Sequence, residues 1–115
     1  MFSLDVHCHF FPEAFLDAAR GPNTLQSKIE QRADGQEHLV CPGNFDHPLT
    51  PDFYAAEQML ADMDSAQISM AAISSAPPTL SYWAEAGAAR ELASRLNESI
   101  TERVAEYPDR FLGLA

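Results

Sequence analysis

The feature that most constrains the fold is residues 67–75 (QISMAAISS), an almost wholly apolar or small run closed by Ala76-Pro77-Pro78. A strand with no polar face is one covered on both sides, as parallel strands flanked by helices are. The patterns on either side agree. Residues 2–8 (FSLDVHC) place Phe2, Leu4, Val6 and Cys8 at even positions, which is strand periodicity, with Asp5, His7 and His9 on the opposite face. Residues 13–20 (EAFLDAAR) read as a short helix stopped by Gly21-Pro22-Asn23. Thr50-Pro51-Asp52 is a helix-opening triplet, followed by an apolar stripe at Phe53, Ala56, Leu60 and Met63. A longer helix is predicted from about Ser81 to Tyr107, its stripe running Trp83, Ala86, Ala89, Ala93, Leu96, Ile100, Val104 and Tyr107. Beyond Pro108-Asp109-Arg110, residues 111–115 (FLGLA) read as another buried strand.

Strand, long loop, helix, strand, helix, strand is the order of an α/β fold with parallel strands and right-handed crossovers. The expected division of the single domain 1–115 is residues 1–9 as the first strand, 10–50 as an insertion or loop, and 51–115 as helix-strand-helix-strand. Residues 21–51 carry Gly21, Pro22, Gly35, Pro42, Gly43, Asn44, Pro48 and Pro51 and no clear periodicity, the expectation for a functional loop. A last strand without a covering helix leaves edges and a face open, which favours a homo-oligomer or a missing remainder.

Charge narrows the partners. With 7 Lys+Arg against 17 Asp+Glu the net charge is −10, so no basic stripe is available for nucleic acid or an anionic membrane surface. No apolar stretch approaches the ~20 residues of a membrane span. Two cysteines, Cys8 and Cys41, are too few for a disulfide scaffold, and a cytoplasmic location is the corresponding expectation.

The sharpest chemical signal is His7-Cys8-His9. Residues i and i+2 of a strand share a face about 6.5–7 Å apart, close enough for two imidazoles to lean onto one metal ion. Cys8 points away, Asp5 shares the histidines' parity as a residue that orients an imidazole, and the position near a strand's C-terminal end is where α/β sites lie. A bare His-x-His is more often a pair of solvated histidines, so the wider pattern decides.

That pattern is Asp5-Val6-His7-Cys8-His9-Phe10-Phe11-Pro12, which resembles the first barrel strand of the amidohydrolase-related metal-dependent enzymes, in the branch of aminocarboxymuconate-semialdehyde decarboxylase. Met59-Leu60-Ala61-Asp62-Met63-Asp64, Ser74-Ser75-Ala76-Pro77-Pro78, Asn97 and Pro108-Asp109-Arg110-Phe111-Leu112-Gly113-Leu114-Ala115 resemble later stretches of the same branch, in order. The resemblance implies a partial TIM (β/α)8 barrel, about the first three strands of a fold that commonly needs ~250 residues. It implies His7 and His9 as ligands of a divalent metal, Zn2+ or else Mn2+. The activity it implies is non-oxidative decarboxylation of a small carboxylic acid, with the acid/base residue and remaining ligands beyond residue 115. One alternative is hydrolysis of a lactone, ester or amide at the same metal. Another is a non-catalytic truncated barrel serving as an oligomerising module.

One departure bears on substrate. Where the decarboxylase has an arginine for a substrate carboxylate, this chain reads Asn44-Phe45-Asp46-His47-Pro48, making Asp46 and His47 the candidate substrate-loop residues and leaving the muconate substrate itself in doubt. His38 is expected as an exposed loop histidine, Arg20 and Arg32 as solvated cations, Trp83 as a core residue near Tyr82, and Cys41 as a small buried hydrophobe.

Overall fold

The computed structural model describes residues 1–115. It contains β1 (Leu4–Phe10), α1 (Glu13–Arg20), β2 (Lys28–Gln31), β3 (Glu37–Cys41), β4 (Phe45–Pro48), α2 (Ala56–Ser65), β5 (Met70–Ser75), α3 (Ala86–Glu106) and β6 (Phe111–Gly113). Short 3-10 turns at Pro51–Phe53 and Pro77–Leu80 precede α2 and α3. Two sheets form: a parallel sheet in the order β1-β5-β6 and an antiparallel sheet in the order β2-β3-β4.

The central strand of the parallel sheet is the apolar run. Ala71, Ala72 and Ile73 are all buried, because β5 has a strand on each edge and helices against it. Ile73 joins Phe10, Phe111, Met59, Met63 and Ile100 in one core cluster between sheet and helices. Each fully buried side chain of this size contributes about 1.5–3 kcal/mol of transfer free energy. The cluster is tight where β6 meets α3. A Cβ at Gly113 would stand 2.7 Å from Ile100 Cγ2 and 3.3 Å from Val104 Cγ2, so only glycine lets the strand approach this closely.

Arg103 ties α3 to the strand end. Its guanidinium donates to the Tyr54 carbonyl at 2.8 Å and lies 5.0 Å from the Phe10 ring centroid. Burial lowers its pKa from the ordinary arginine value.

The largest departure from the sequence reading is in residues 21–51. The expected loop contains a three-stranded antiparallel sheet, and its buried residues Leu39, Cys41 and Leu49 join Phe11, Phe15, Leu16, Leu92 and Leu96 in a second core cluster. Strands of four or five residues with one apolar face need only a few apolar side chains, so their pattern is hard to see. Gly35 and Gly43, at φ +83° and +85°, occupy the two turns, a backbone conformation that strains other residues.

Other bounds shift for local reasons. Thr50-Pro51-Asp52 opens only a 3-10 turn. The chain is extended at Ala55 before α2 begins, and Ala56, Met59 and Met63 form the buried stripe. The long helix starts at Ala86, because the Glu85 carboxylate caps it by accepting from the Gly87 and Ala88 N–H groups at 2.9 and 3.2 Å. Those two bonds hold the Glu85 carboxyl below its usual pKa. Its buried line is Leu92, Leu96 and Ile100, with Ala86 and Ala93 exposed. Trp83 is partly buried and donates to the Leu25 carbonyl at 2.6 Å; Tyr82 is exposed. The last strand is short, and of it only Phe111 is buried.

β1 carries an extra residue. Its register runs Leu4↔Met70 and Asp5↔Ala71, then Cys8↔Ile73, so a bulge lies between Asp5 and Cys8. The even-position face expected to be core is therefore open: Phe2, Leu4 and Val6 are 66%, 40% and 70% exposed. Leu112 and Leu114 are exposed near the end of the opposite edge strand.

Candidate functional site

At the bulge and just past it, β1 brings His7 and His9 together toward its C-terminal end. Their rings meet edge to face with centroids 4.8 Å apart, and the two Nε2 atoms stand 3.0 Å from each other. Ligand nitrogens on one tetrahedral zinc ion are about 3.3 Å apart, from Zn–N bonds of ~2.0–2.1 Å. The pair thus fits two vertices of a single coordination sphere with little movement. Both rings are exposed, so further ligands of an ion bound there would have access. No group of three or more His, Cys, Asp or Glu side chains that could hold a metal ion occurs in the chain; the strand end offers the two imidazoles alone.

A residue the sequence reading did not single out contacts the pair. Ser74 lies beside His9 in the parallel register of β1 and β5, and its Oγ is 2.8 Å from His9 Nδ1. Only knowledge of strand pairing exposes it, since the two residues are 65 positions apart.

The remaining candidates make no hydrogen bond to the paired rings. The Asp5 carboxylate accepts from the backbone N–H of His7 at 3.0 Å, not from an imidazole, because the bulge changes its parity. Asp5 instead shares a cleft of about 260 Å³ with Cys8 and His9 beside α2. Burial, with Asp5 adding to it, pushes the Cys8 thiol pKa up. Cys41 is buried and its thiol likewise raised by burial, consistent with a packing role.

His38 and Asp46 are neither loop residues nor part of the strand-end site. They project from β3 and β4 on the face opposite buried Leu39. His38 Nδ1 is 2.7 Å from Asp46 Oδ1, while Arg32 donates to Asp46 Oδ2 at 2.7 Å and also lies 3.3 Å from Glu30. His38 first and Arg32 second hold the Asp46 carboxyl below its usual range. Asp46 is thus a cross-strand brace with both oxygens engaged, and Arg32 is part of that brace instead of a free cation. Arg20 lies on the surface near Asp17 and Glu37.

His47 takes the other face. Its Nδ1–H donates to the Pro48 carbonyl at 2.8 Å, and its ring packs edge-on to Phe53 at 5.1 Å. Phe53 in turn packs on Phe11 at 5.8 Å and accepts the Phe11 N–H at 2.8 Å. His47 therefore meets the segment after His9 by way of Phe53.

Parallel strands whose C-terminal end presents two convergent imidazoles define an α/β protein with a candidate metal-binding strand end. No protein-family profile matches the chain. Curated relatives do. It is 26% identical over 114 residues to 2-amino-3-carboxymuconate-6-semialdehyde decarboxylase of Caenorhabditis elegans, covering 96% of this chain and 28% of that protein. It is 22% identical over 118 residues to the Dictyostelium discoideum protein of the same name, covering 96% and 31%. The fold matches a crystal structure of Metarhizium anisopliae IDCase in apo form at TM-score 0.82 and 18% identity, over 99% of this chain and 34% of that one. The resemblance to the aminocarboxymuconate-semialdehyde decarboxylase branch of the amidohydrolase-related enzymes therefore holds across nearly the whole chain. The chain spans under a third of the length of the curated relatives it matches. None of its helices is long and apolar enough to cross a membrane.

Proposed function

We propose that this chain forms part of a (β/α)8 barrel and contributes two ligands, His7 and His9, to the divalent metal centre of a carbon–carbon lyase that decarboxylates a small carboxylic acid. The single observation that carries this reading is the 3.0 Å approach of the two Nε2 atoms at the strand end, in a chain similar over 96% of its length to proteins named as decarboxylases. The exposed apolar residues along β1 and near the end of β6 fit surfaces that further barrel units would cover.

A divalent metal held there supplies positive charge that stabilises the negative charge developing as carbon dioxide leaves. The chain's own part is to hold the two imidazoles together on one face of the sheet. Asp46, which stands where the decarboxylase has its arginine, is paired with Arg32 and His38 on the antiparallel sheet and offers no cation to a substrate carboxylate. Two histidines alone do not build an open catalytic site, so the 115-residue chain by itself is expected to show no turnover.

The test is carbon dioxide release from a panel of small carboxylic acids by the protein purified from its native source, whose intact mass is measured first, with zinc or manganese added. The reading expects metal-dependent release that falls by about a hundredfold or more in the His9→Ala variant. Net addition of water to a lactone, ester or amide, without carbon dioxide, would assign hydrolysis instead. Turnover indifferent to His9→Ala would end the metal assignment.

A further inference from the structure

We propose that Ser74 is a positioning residue for His9. Its hydroxyl accepts the Nδ1–H of that imidazole in the metal-binding tautomer and so holds the ring with Nε2 facing His7. This inference rests on the metal reading above and concerns how the apo protein is prepared for the ion.

The argument is one of proton placement. A neutral imidazole has one N–H and one lone pair. The 3.0 Å contact between the Nε2 atoms of His7 and His9 requires a proton on one of them in the absence of an ion. An ion at that position needs lone pairs on both, so the His9 proton must then reside on Nδ1. The group facing Nδ1 is Ser74 Oγ, at 2.8 Å. A hydroxyl both donates and accepts. It accepts the Nδ1–H when His9 presents its lone pair to a metal, and by rotating its own proton it also serves the ring in the opposite tautomer. A residue able only to donate would favour the wrong tautomer at this position, and alanine would leave the choice to water.

Placement adds to chemistry. Ser74 sits on β5, the central strand, paired there with His9 of β1, one residue after the pairing with β6 ends at Ile73. Asp5 steadies the backbone of His7 and touches neither ring. Ser75, the next hydroxyl along, pairs in register with Phe10 and its Oγ has no hydrogen-bond partner. Ser74 is thus the side chain outside the pair that controls ring orientation. A hydrogen-bonding partner behind a metal-ligating imidazole typically changes metal affinity by about 10–100-fold.

The test uses the full chain with 15N-labelled histidine, as wild type, Ser74→Ala and Ser74→Thr, titrated with zinc against a competing chelator well above the ordinary imidazole pKa. Backbone amide spectra report folding of each variant. In zinc-loaded wild type, the His9 15N shifts should show the Nδ1–H form. Ser74→Ala should lose about tenfold or more in zinc affinity, with the zinc-loaded His9 shifts displaced from those of wild type. Ser74→Thr, which retains the hydroxyl, should restore both.

Unchanged zinc affinity and unchanged His9 shifts in Ser74→Ala overturn the role of Ser74 while leaving the metal reading in place. An equal fall in Ser74→Thr overturns it too, since the hydroxyl would then not be the cause. Zinc that perturbs neither His7 nor His9 in the wild type overturns the metal reading beneath it.

Discussion

The chain carries four histidines, two on each sheet, and the sheets use them in opposite ways. On the parallel sheet, His7 and His9 are two apart on one strand, share a face, and bring their Nε2 atoms to 3.0 Å. On the antiparallel sheet, His38 and His47 lie on adjacent strands one register step from direct opposition, since His38 faces Pro48 and His47 faces Leu39. That single step sends them to opposite faces. His38 is spent on Asp46 and His47 on a backbone carbonyl and the Phe53 ring. A histidine count says little about a metal site; shared parity on one strand, with a hydroxyl behind one ring, says much more.

The comparison implies that each pair depends on its own sheet. Ile73→Ala removes a fully buried side chain that stands in register with Cys8, between the two histidines. It should destabilise the protein by about 2–5 kcal/mol and displace the His7 and His9 resonances. Leu39→Ala, at an equally buried position of the antiparallel sheet, should cost a similar amount of stability but move His38 and His47. Denaturant unfolding gives the size, and histidine NMR gives the place. Equal disturbance of His7 and His9 by both variants would mean that the two pairs share one scaffold.

A smaller effect sharpens the contrast on the antiparallel side. The folded-state pKa of Asp46 is depressed by His38 and Arg32, so its stabilising contribution is complete above the unfolded aspartate value, about 3.9, and is lost as pH falls through the lower folded value. Wild type should therefore be more heat-stable than Asp46→Asn near neutrality, with the difference closing in acid. Its zinc affinity should not change. A Tm difference that persists undiminished below the carboxylate range would contradict the brace.

Much of this was readable in the chain because long or strongly biased patterns survive translation into structure. The buried β5 is evident in MAAIS, the bounds of α1 follow from EAFLDAAR and its Gly-Pro stop, and the shared face of His7 and His9 follows from their spacing. The antiparallel sheet was hidden for the opposite reason: KIEQ, EHLVC and FDHP are short, carry few apolar side chains, and are separated by the glycines and prolines that also mark loops. The bulge in β1 reversed the parity of Asp5, since one inserted residue shifts every side chain before it to the other face. Ser74 was beyond sequence reasoning because its role depends on which residue of β5 lies beside His9, a register that periodicity does not supply.

The measurement that tests the account most directly is a zinc titration of the wild-type chain followed by histidine NMR. The account predicts that His7 and His9 respond together at one stoichiometric equivalent while His38 and His47 do not. A response at His38 or His47, or saturation with His7 and His9 unmoved, would contradict it.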